Sequence, residues 1–539
     1  MTLQAIDWKE IEGSSAAFWT GPRLLRATGG QWLAEPQSPI VARGASIDSR
    51  LLHPGQIFVA IRGARVDGHD FVGHAARAGA ALAVVDRPVP AVGSMPVMLV
   101  PDATRGLADL ARSWRAMLRE VGTRVIAVTG SCGKTTTREM IHAVLSARFR
   151  SSRSPRSFNN HLGVPLTLLA AGGKDHSDDF VVVELGTNHP GEIESLAEVV
   201  RPECVVITNV GMAHIGHFGS RVAIGREKGS LLRFVEPDGL AVVPGDTELT
   251  REGESAVDFL VTETGGRFLQ EAVNRVSASV SIQRFGSASD CDPRVVSVDR
   301  EEGERGAGCC FDLQDGLSIS LPLIGRHNIG NALAAIAVGR WAGVKDEYIA
   351  EALRTVRGPA MRLEPLTFGH GDRRVTVIND AYNANPDSAR AAIVTLADRP
   401  LTCPGGRRVL VLGDMLELGD DAKALHRAIG QFIMPFVETT GVIHRVVLIG
   451  KLAHCVGDVL DGVVSSGCLH LFEALDEAVP DRVVSLLGGG DVVLLKASRT
   501  MELERIVPAV EQRFGAGKDR IPGREASSSV VKELGVLRS

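Results

Sequence analysis

The sequence predicts an α/β protein of three domains built on largely parallel sheets, and three observations carry that expectation. The chain has 539 residues, more than one ordinary hydrophobic core accommodates. Short apolar, β-branched runs alternate with helix-length segments, the pattern of sheets covered by helices on both faces. A glycine-rich loop, Gly130 to Thr136, falls between such a run and such a segment, which is the context of a phosphate-binding loop.

The first block, 1–122, holds strand candidates at Gln56 to Arg62 and Ala81 to Asp86 with a helix between them, and closes with a helix over Thr104 to Glu120. The central block, 123–358, opens with the strand Arg124 to Thr129 and, past the glycine loop, continues as a helix over Thr135 to Arg148. Along it Met140, Ile141, Val144 and Leu145 recur at helical spacing. Phe180 to Val183 and Val205 to Thr208 read as further buried strands, each ending at a polar residue on the carboxyl edge of the sheet, where such folds bind ligands. From about 261 to 318 the pattern turns irregular and reads as a β-rich insertion. The third block, 359–514, carries strand candidates Val375 to Asn379, Val409 to Leu412, Val446 to Ile449 and Val492 to Leu495, separated by helices. The last stretch, 515–539, is rich in glycine, serine and charge and reads as a mobile tail.

Composition narrows the function. With 44% hydrophobic and 23% charged residues and a net charge of −5, the chain lacks the basic excess of a nucleic-acid binder. Eight cysteines occur without a C-x-x-C pair, which speaks against a zinc site or a disulfide framework and fits a reducing cytoplasm. The N-terminus does not resemble a secretory signal, and no run approaches the ~20 apolar residues of a membrane helix. A cytoplasmic monomer is expected.

Gly130, Ser131, Cys132, Gly133, Lys134, Thr135 and Thr136 form the loop. Glycines let backbone N–H groups turn inward onto phosphate oxygens, Lys134 adds a point charge, and the Thr135 hydroxyl is placed to ligate Mg²⁺. The loop departs from the common pattern at Val128, where a first glycine is usual. Cys132 is read as a small residue in a tight turn, without chemistry. Such a loop implies ATP or GTP but does not by itself fix the reaction. Three further residues are metal-site candidates: Glu184 at the end of a buried run, suited to a hard cation, then His214 and Lys228 beyond the next strand. Taken singly they read as a helix cap, a loop residue and one charge on a solvated helix.

Taken together the segments resemble the Mur ligases. Thr129 to Thr136, Asn159-Asn160-His161-Leu162-Gly163-Val164-Pro165, Glu184 to His189 and Gly325 to Ala332 follow the family's order. Asn379 to Pro386 and Gly413 to Gly419 are similar to the D-alanyl-D-alanine-adding members. Asp48-Ser49-Arg50 and Asp67-Gly68-His69-Asp70-Phe71 look like the UDP-binding domain that this type shares with the diamino-acid-adding type.

The resemblance implies a three-domain Mur ligase architecture, with a central P-loop ATPase domain and a C-terminal Rossmann-like domain. It implies bacterial cell-wall synthesis, with UDP-N-acetylmuramoyl-tripeptide and D-alanyl-D-alanine as substrates and ATP consumed. By position, Lys134, Glu184, His214 and Lys228 would be catalytic. Thr135 and Glu184 would hold one Mg²⁺, and His214 with Lys228, carbamylated as in related ligases, would serve a second. Asn328 and Asn331 would lie near adenine, and Arg362 and Asp380 would meet phosphate and ribose. Ser49, Arg50, Asp67, His69, Asn159, Asn160, Asn383, Asn385 and Arg499 would contact the UDP-peptide and dipeptide. The third block would close on the others during turnover. Ala497 stands where this ligase type usually carries glycine. The alternatives are a sibling ligase with another acceptor and a catalytically silent nucleotide-binding scaffold.

Overall fold

The computed structural model describes residues 19–42, 44–155, 157–172, 178–245, 265–301, 308–401, 403–465 and 467–516, so most of the expected tail lies outside the described residues. The central sheet shows why the fold was readable. Arg124–Thr129 (β6 of the chain's twenty described strands) pairs in parallel with Phe180–Glu184 (β8) and Cys204–Ile207 (β9). Along it Val125 and Ala127 enter one hydrophobic core while Ile126 and Val128 enter the other. Both faces are buried, so the strand reads as an unbroken apolar run.

Ser151–Arg153 (β7) extends the sheet beyond β8, and Leu240–Pro244 (β10) and Ser281–Phe285 (β11) extend it beyond β9. The helices Lys134–Ser146 and His327–Trp341 pack together on one face. The latter is buried almost all round, as an alanine-rich helix with no solvated stripe must be.

The region read as a β-rich insertion is not one unit. Ser281–Phe285 is the outer strand of the central sheet, while Val295–Glu301, Gly308–Leu313 and Ser318–Leu321 form a separate three-stranded antiparallel sheet. Short helices, Gly266–Leu269 and Gln270–Val273, precede them and pack against Arg221–Ser230. The irregular pattern hid the parallel strand, whose outer positions Ser281 and Ile282 are exposed. Residues 261–264 and 302–307 of this region lie outside the described residues.

The N-terminal sheet has five strands, four of them parallel, with Gln31–Ala34 antiparallel at one edge. The strand expected over Gln56 to Arg62 is only Ile57–Val59 long. Beyond it the chain doubles back: Arg62 bridges Asp67, and Gly68 donates to Ile61 O at 2.9 Å. The helix that closes this block, Ala103–Glu120, lays Leu107, Leu110, Ala111 and Leu118 into the larger core.

The C-terminal sheet orders Glu364–Phe368, Val375–Asp380, Val492–Lys496, Arg408–Gly413, Arg445–Ile449 and Leu469–Phe472, antiparallel only at the first. Its carboxyl edge faces that of the central sheet across a cleft of ≈1320 Å³. No described helix is long and apolar enough to cross a membrane.

Candidate active site

The loop between Thr129 and Lys134 is shaped by two glycines at positive φ, Gly130 at 152° and Gly133 at 79°. A Cβ on Gly130 would sit 1.9 Å from Thr208 Oγ1, and one on Gly133 2.4 Å from Asn331 Oδ1. Both positions therefore demand glycine for space as well as conformation. Thr208 and Asn209, at the end of β9, brace the loop: Thr208 Oγ1 donates to Cys132 O at 2.5 Å, and Asn209 Oδ1 accepts from Cys132 N at 2.9 Å.

Gly133 caps the helix Lys134–Ser146, so the free N–H groups of its first turn open into the cleft. Lys134 Nζ donates to Gly130 O at 2.8 Å, folding the side chain over the loop. Burial pushes its ammonium below the ordinary lysine value, with Glu184 opposing.

Glu184 is the last residue of its strand and fully buried, so it is no helix cap. Thr135 Oγ1 donates to Glu184 Oε2 at 2.9 Å, and Arg138 Nη1 reaches the same oxygen at 3.2 Å. Asn159 Nδ2 donates to Oε1 at 2.9 Å. A buried carboxylate is tolerable only with partners of this kind. Asn159 thus acts through Glu184, while Asn160 Oδ1 accepts Leu162 N and Gly163 N at the start of the helix Gly163–Ala170.

Lys228 is not a charge on a solvated helix; it is 2% exposed, on the inner side of Arg221–Ser230. Burial pushes its ammonium down to about 7, and the Lys134 charge adds to the effect. Its neighbour Glu227 fixes that helix to the β8 loop, accepting Gly191 N at 2.8 Å and Ile193 N at 2.9 Å. His214 adopts φ 58° ahead of the short helix Ile215–Phe218. Its Nδ1 lies 2.8 Å from Glu417 Oε2, close enough for ion pairing but off the angle of a hydrogen bond.

The third domain completes the cleft. Arg362 lies over the Tyr382 ring at 4.1 Å, and Tyr382 OH donates to Ser157 Oγ at 2.6 Å. Lys496 Nζ pairs with Asp380 Oδ2 at 2.7 Å and donates to Asn383 O at 2.6 Å. Asn385 caps the helix Pro386–Asp398 and brings Nδ2 to 3.3 Å from Cys132 Sγ. Arg499 pairs with the buried Glu504. His327, also on the cleft wall, is held neutral by burial at about 4, with Asp380 opposing.

The expected residues do not all meet here. Asn328 and Asn331 do line the cleft, bonded to each other at 2.9 Å, with Asn331 Oδ1 accepting Thr137 Oγ1 at 3.0 Å. Ser49, Arg50, Asp67 and His69 lie outside the cleft wall. His69 Nδ1 sits 2.6 Å from Asp67 Oδ1, and Arg50 separately binds Asp48. Burial would raise the Asp67 carboxyl, but the His69 backbone and ring hydrogen bonds and the Arg87 charge hold it at about 2. Glu227, Arg138, Tyr382, Asp387 and Lys496 were not singled out from sequence as site residues. Only adjacency to Lys228 marked Glu227, only its place in the Asn379 to Pro386 segment marked Tyr382, and nothing local marked the others.

This geometry has relatives. The model of the Mur ligase middle domain matches residues 128–339, that of the Mur ligase glutamate ligase domain matches 361–499, and that of the Mur ligase family catalytic domain matches 42–115. The chain belongs to the Mur ligase family. It is 36% identical over 483 residues to the UDP-N-acetylmuramoyl-tripeptide--D-alanyl-D-alanine ligase of Bacillus subtilis (strain 168), covering 88% of this chain and 94% of that protein. The enzyme of the same name from Escherichia coli (strain K12) is 31% identical over 477 residues, with the same coverage. Among solved structures, MurF from Acinetobacter baumannii superposes with a TM-score of 0.75 at 30% identity, covering 92% of this chain and 99% of that one. MurF ligase from Thermotoga maritima in complex with ADP gives 0.69 at 25% identity, covering 89% and 99%. The three-domain α/β architecture expected from sequence is thus that of a Mur ligase, an ATP-dependent enzyme that forms carbon–nitrogen bonds.

Proposed function

We propose that this Mur ligase joins D-alanyl-D-alanine to UDP-N-acetylmuramoyl-tripeptide, with boundaries near 122, 358 and 514 separating UDP-binding, ATP-binding and C-terminal domains. The observation that carries the reading is the cleft in which Lys134 and Glu184, the latter bound from behind the wall by Thr135, face Asn383, Lys496 and Arg499. Phosphate chemistry lines one wall and polar acceptor chemistry the other.

A carboxylate does not acylate an amine until it gains a leaving group. The γ-phosphoryl of ATP would pass to the terminal carboxylate of the tripeptide, giving an acyl phosphate and ADP. The D-alanyl-D-alanine amine would then attack the acyl carbon, form the amide and expel phosphate. Both partners in the first step are anionic, so the loop N–H groups and Lys134 offset their repulsion. Seating of the third domain would exclude water from the acyl phosphate.

Among the described residues no group of three or more His, Cys, Asp and Glu side chains is arranged to hold a metal ion by itself. Thr135 Oγ1 and Glu184 Oε2, 2.9 Å apart, are hard oxygen donors that fit Mg²⁺ if phosphate oxygens complete its shell. When bound, the ion would neutralise charge on the transferring group. His214 and Lys228 would serve a second ion. A buried ammonium repels a cation, whereas a neutral amine that has added CO₂ is a carboxylate-like ligand, and the depressed Lys228 favours that neutral form.

Phosphate release by the purified protein tests the reading. Release should require ATP, Mg²⁺, UDP-muramoyl-tripeptide and D-alanyl-D-alanine together, and Lys134→Ala should lower kcat by roughly 10³-fold or more. Release with a dipeptide precursor and a free amino acid instead would move the chain to a sibling ligase.

A further inference from the structure

Asp387 occupies the first turn of the helix Pro386–Asp398, where an acid ordinarily does no more than complement the helix dipole. Here its Oδ2 accepts the backbone N–H of Met212, in the central domain, at 2.5 Å. A Cβ built on Gly211 would lie 2.3 Å from the same oxygen, so glycine permits this approach. The turn that Asp387 grips also holds the phosphate loop. Ser131 Oγ accepts Gly211 N at 2.8 Å, Ser131 N donates to Asn209 O at 3.2 Å, and Asn209 Oδ1 accepts Cys132 N. One short segment therefore carries the loop on one side and the third domain on the other. Asn385, capping the same helix, touches Cys132 directly.

We infer that Asp387 is a positioning residue: by seating the third domain on the Gly211-Met212 turn, it sets the phosphate loop in register for phosphoryl transfer. The inference rests on the ligase reading above but predicts its own pattern. The loop and Lys134 belong to the central domain, and Arg362 and Asp380 are held by Tyr382 and Lys496 rather than by Asp387, so Asp387→Ala keeps MgADP affinity within about threefold of the parent enzyme. A lost hydrogen bond to a charged acceptor lowers kcat by roughly 10- to 100-fold. Asp387→Asn keeps an acceptor oxygen in place and recovers most of that loss. A role limited to the helix dipole would leave Ala and Asn alike, since both lack the charge, and would move Tm rather than kcat. Gly211→Ala breaks the same contact from the other side, so the double variant loses no more than the worse single.

The experiment pairs steady-state phosphate release with calorimetric MgADP titration on the full chain and these four variants. Reduced kcat with retained ADP affinity, rescue by Asn and non-additivity with Gly211→Ala is the expected result. An active parent enzyme in which Asp387→Ala turns over normally, or in which Ala and Asn lose equally, or in which ADP affinity falls along with kcat, overturns the inference and leaves the ligase reading standing. A folded parent protein without turnover under any substrate pairing overturns both.

Discussion

The carboxyl edges of the central and C-terminal sheets face each other across one cleft, yet they are held in different ways. At the central edge the charged groups around the phosphate loop are secured within their own domain. Glu184 is bound by Thr135, Arg138 and Asn159, Lys134 by Gly130, and Glu227 ties down the helix of Lys228. At the C-terminal edge the polar groups reach outward: Tyr382 to Ser157, Asn385 to Cys132, Asp387 to Met212, Glu417 to His214. The first edge is preorganised for phosphate charge without help, and the second becomes a site only when docked. Catalytic groups should therefore fail chemically when altered, and docking groups should fail through assembly.

The largest effect that sharpens this contrast is expected of Glu184→Gln. It keeps shape and loses charge, and kcat should fall by roughly 10²- to 10³-fold, with the melting temperature little lowered because Arg138 retains Glu139 as a partner. Equal loss from a docking residue such as Tyr382 would break the distinction. Next comes Lys496→Met, which strands Asp380 beside a 3% exposed position. Urea unfolding should show a loss of about 3 kcal/mol, the cost of removing one partner of a buried pair.

Acid should loosen the central domain. Burial and the Arg153 charge hold His142 at about 4, below the ordinary 6.5. The unfolded chain then binds the proton first, so the stability from neutral His142 is full above 6.5 and declines as pH falls toward 4. Urea midpoints measured across that window should flatten in His142→Gln. Smallest is Tyr382→Phe, which removes only the Ser157 hydrogen bond. Kinetics should show at most a tenfold rise in KM, on the scale of about 1 kcal/mol for a neutral bond.

The central edge was also the more legible one. Its loop, strand and helix are contiguous from Arg124 to Ser146, and the unbroken apolar strand, the tight-turn glycines and the helical spacing each follow from local sterics and burial. Glu184 could be placed at a strand end for the same reason. The partners of these residues could not be read. Nothing local showed that Asn159 donates to Glu184, and Lys228, expected at the metal site from the resemblance, gave no sign of its burial because its own helix is mostly polar. Asn328 and Asn331 sit one turn apart, yet their use against Thr137 depends on how two helices pack.

Sequence alone determined the α/β class, the phosphate loop and the kind of chemistry, since backbone preference and unbroken apolar runs act over a few residues. Tertiary structure alone decided that Lys228 is buried, that Lys496 meets Asp380, and that Tyr382 reaches Ser157 across 225 residues of chain. The physical reason is that desolvation and long-range hydrogen bonding belong to the packed assembly: a side chain's charge state and partner are set by what folds against it, which no local pattern encodes.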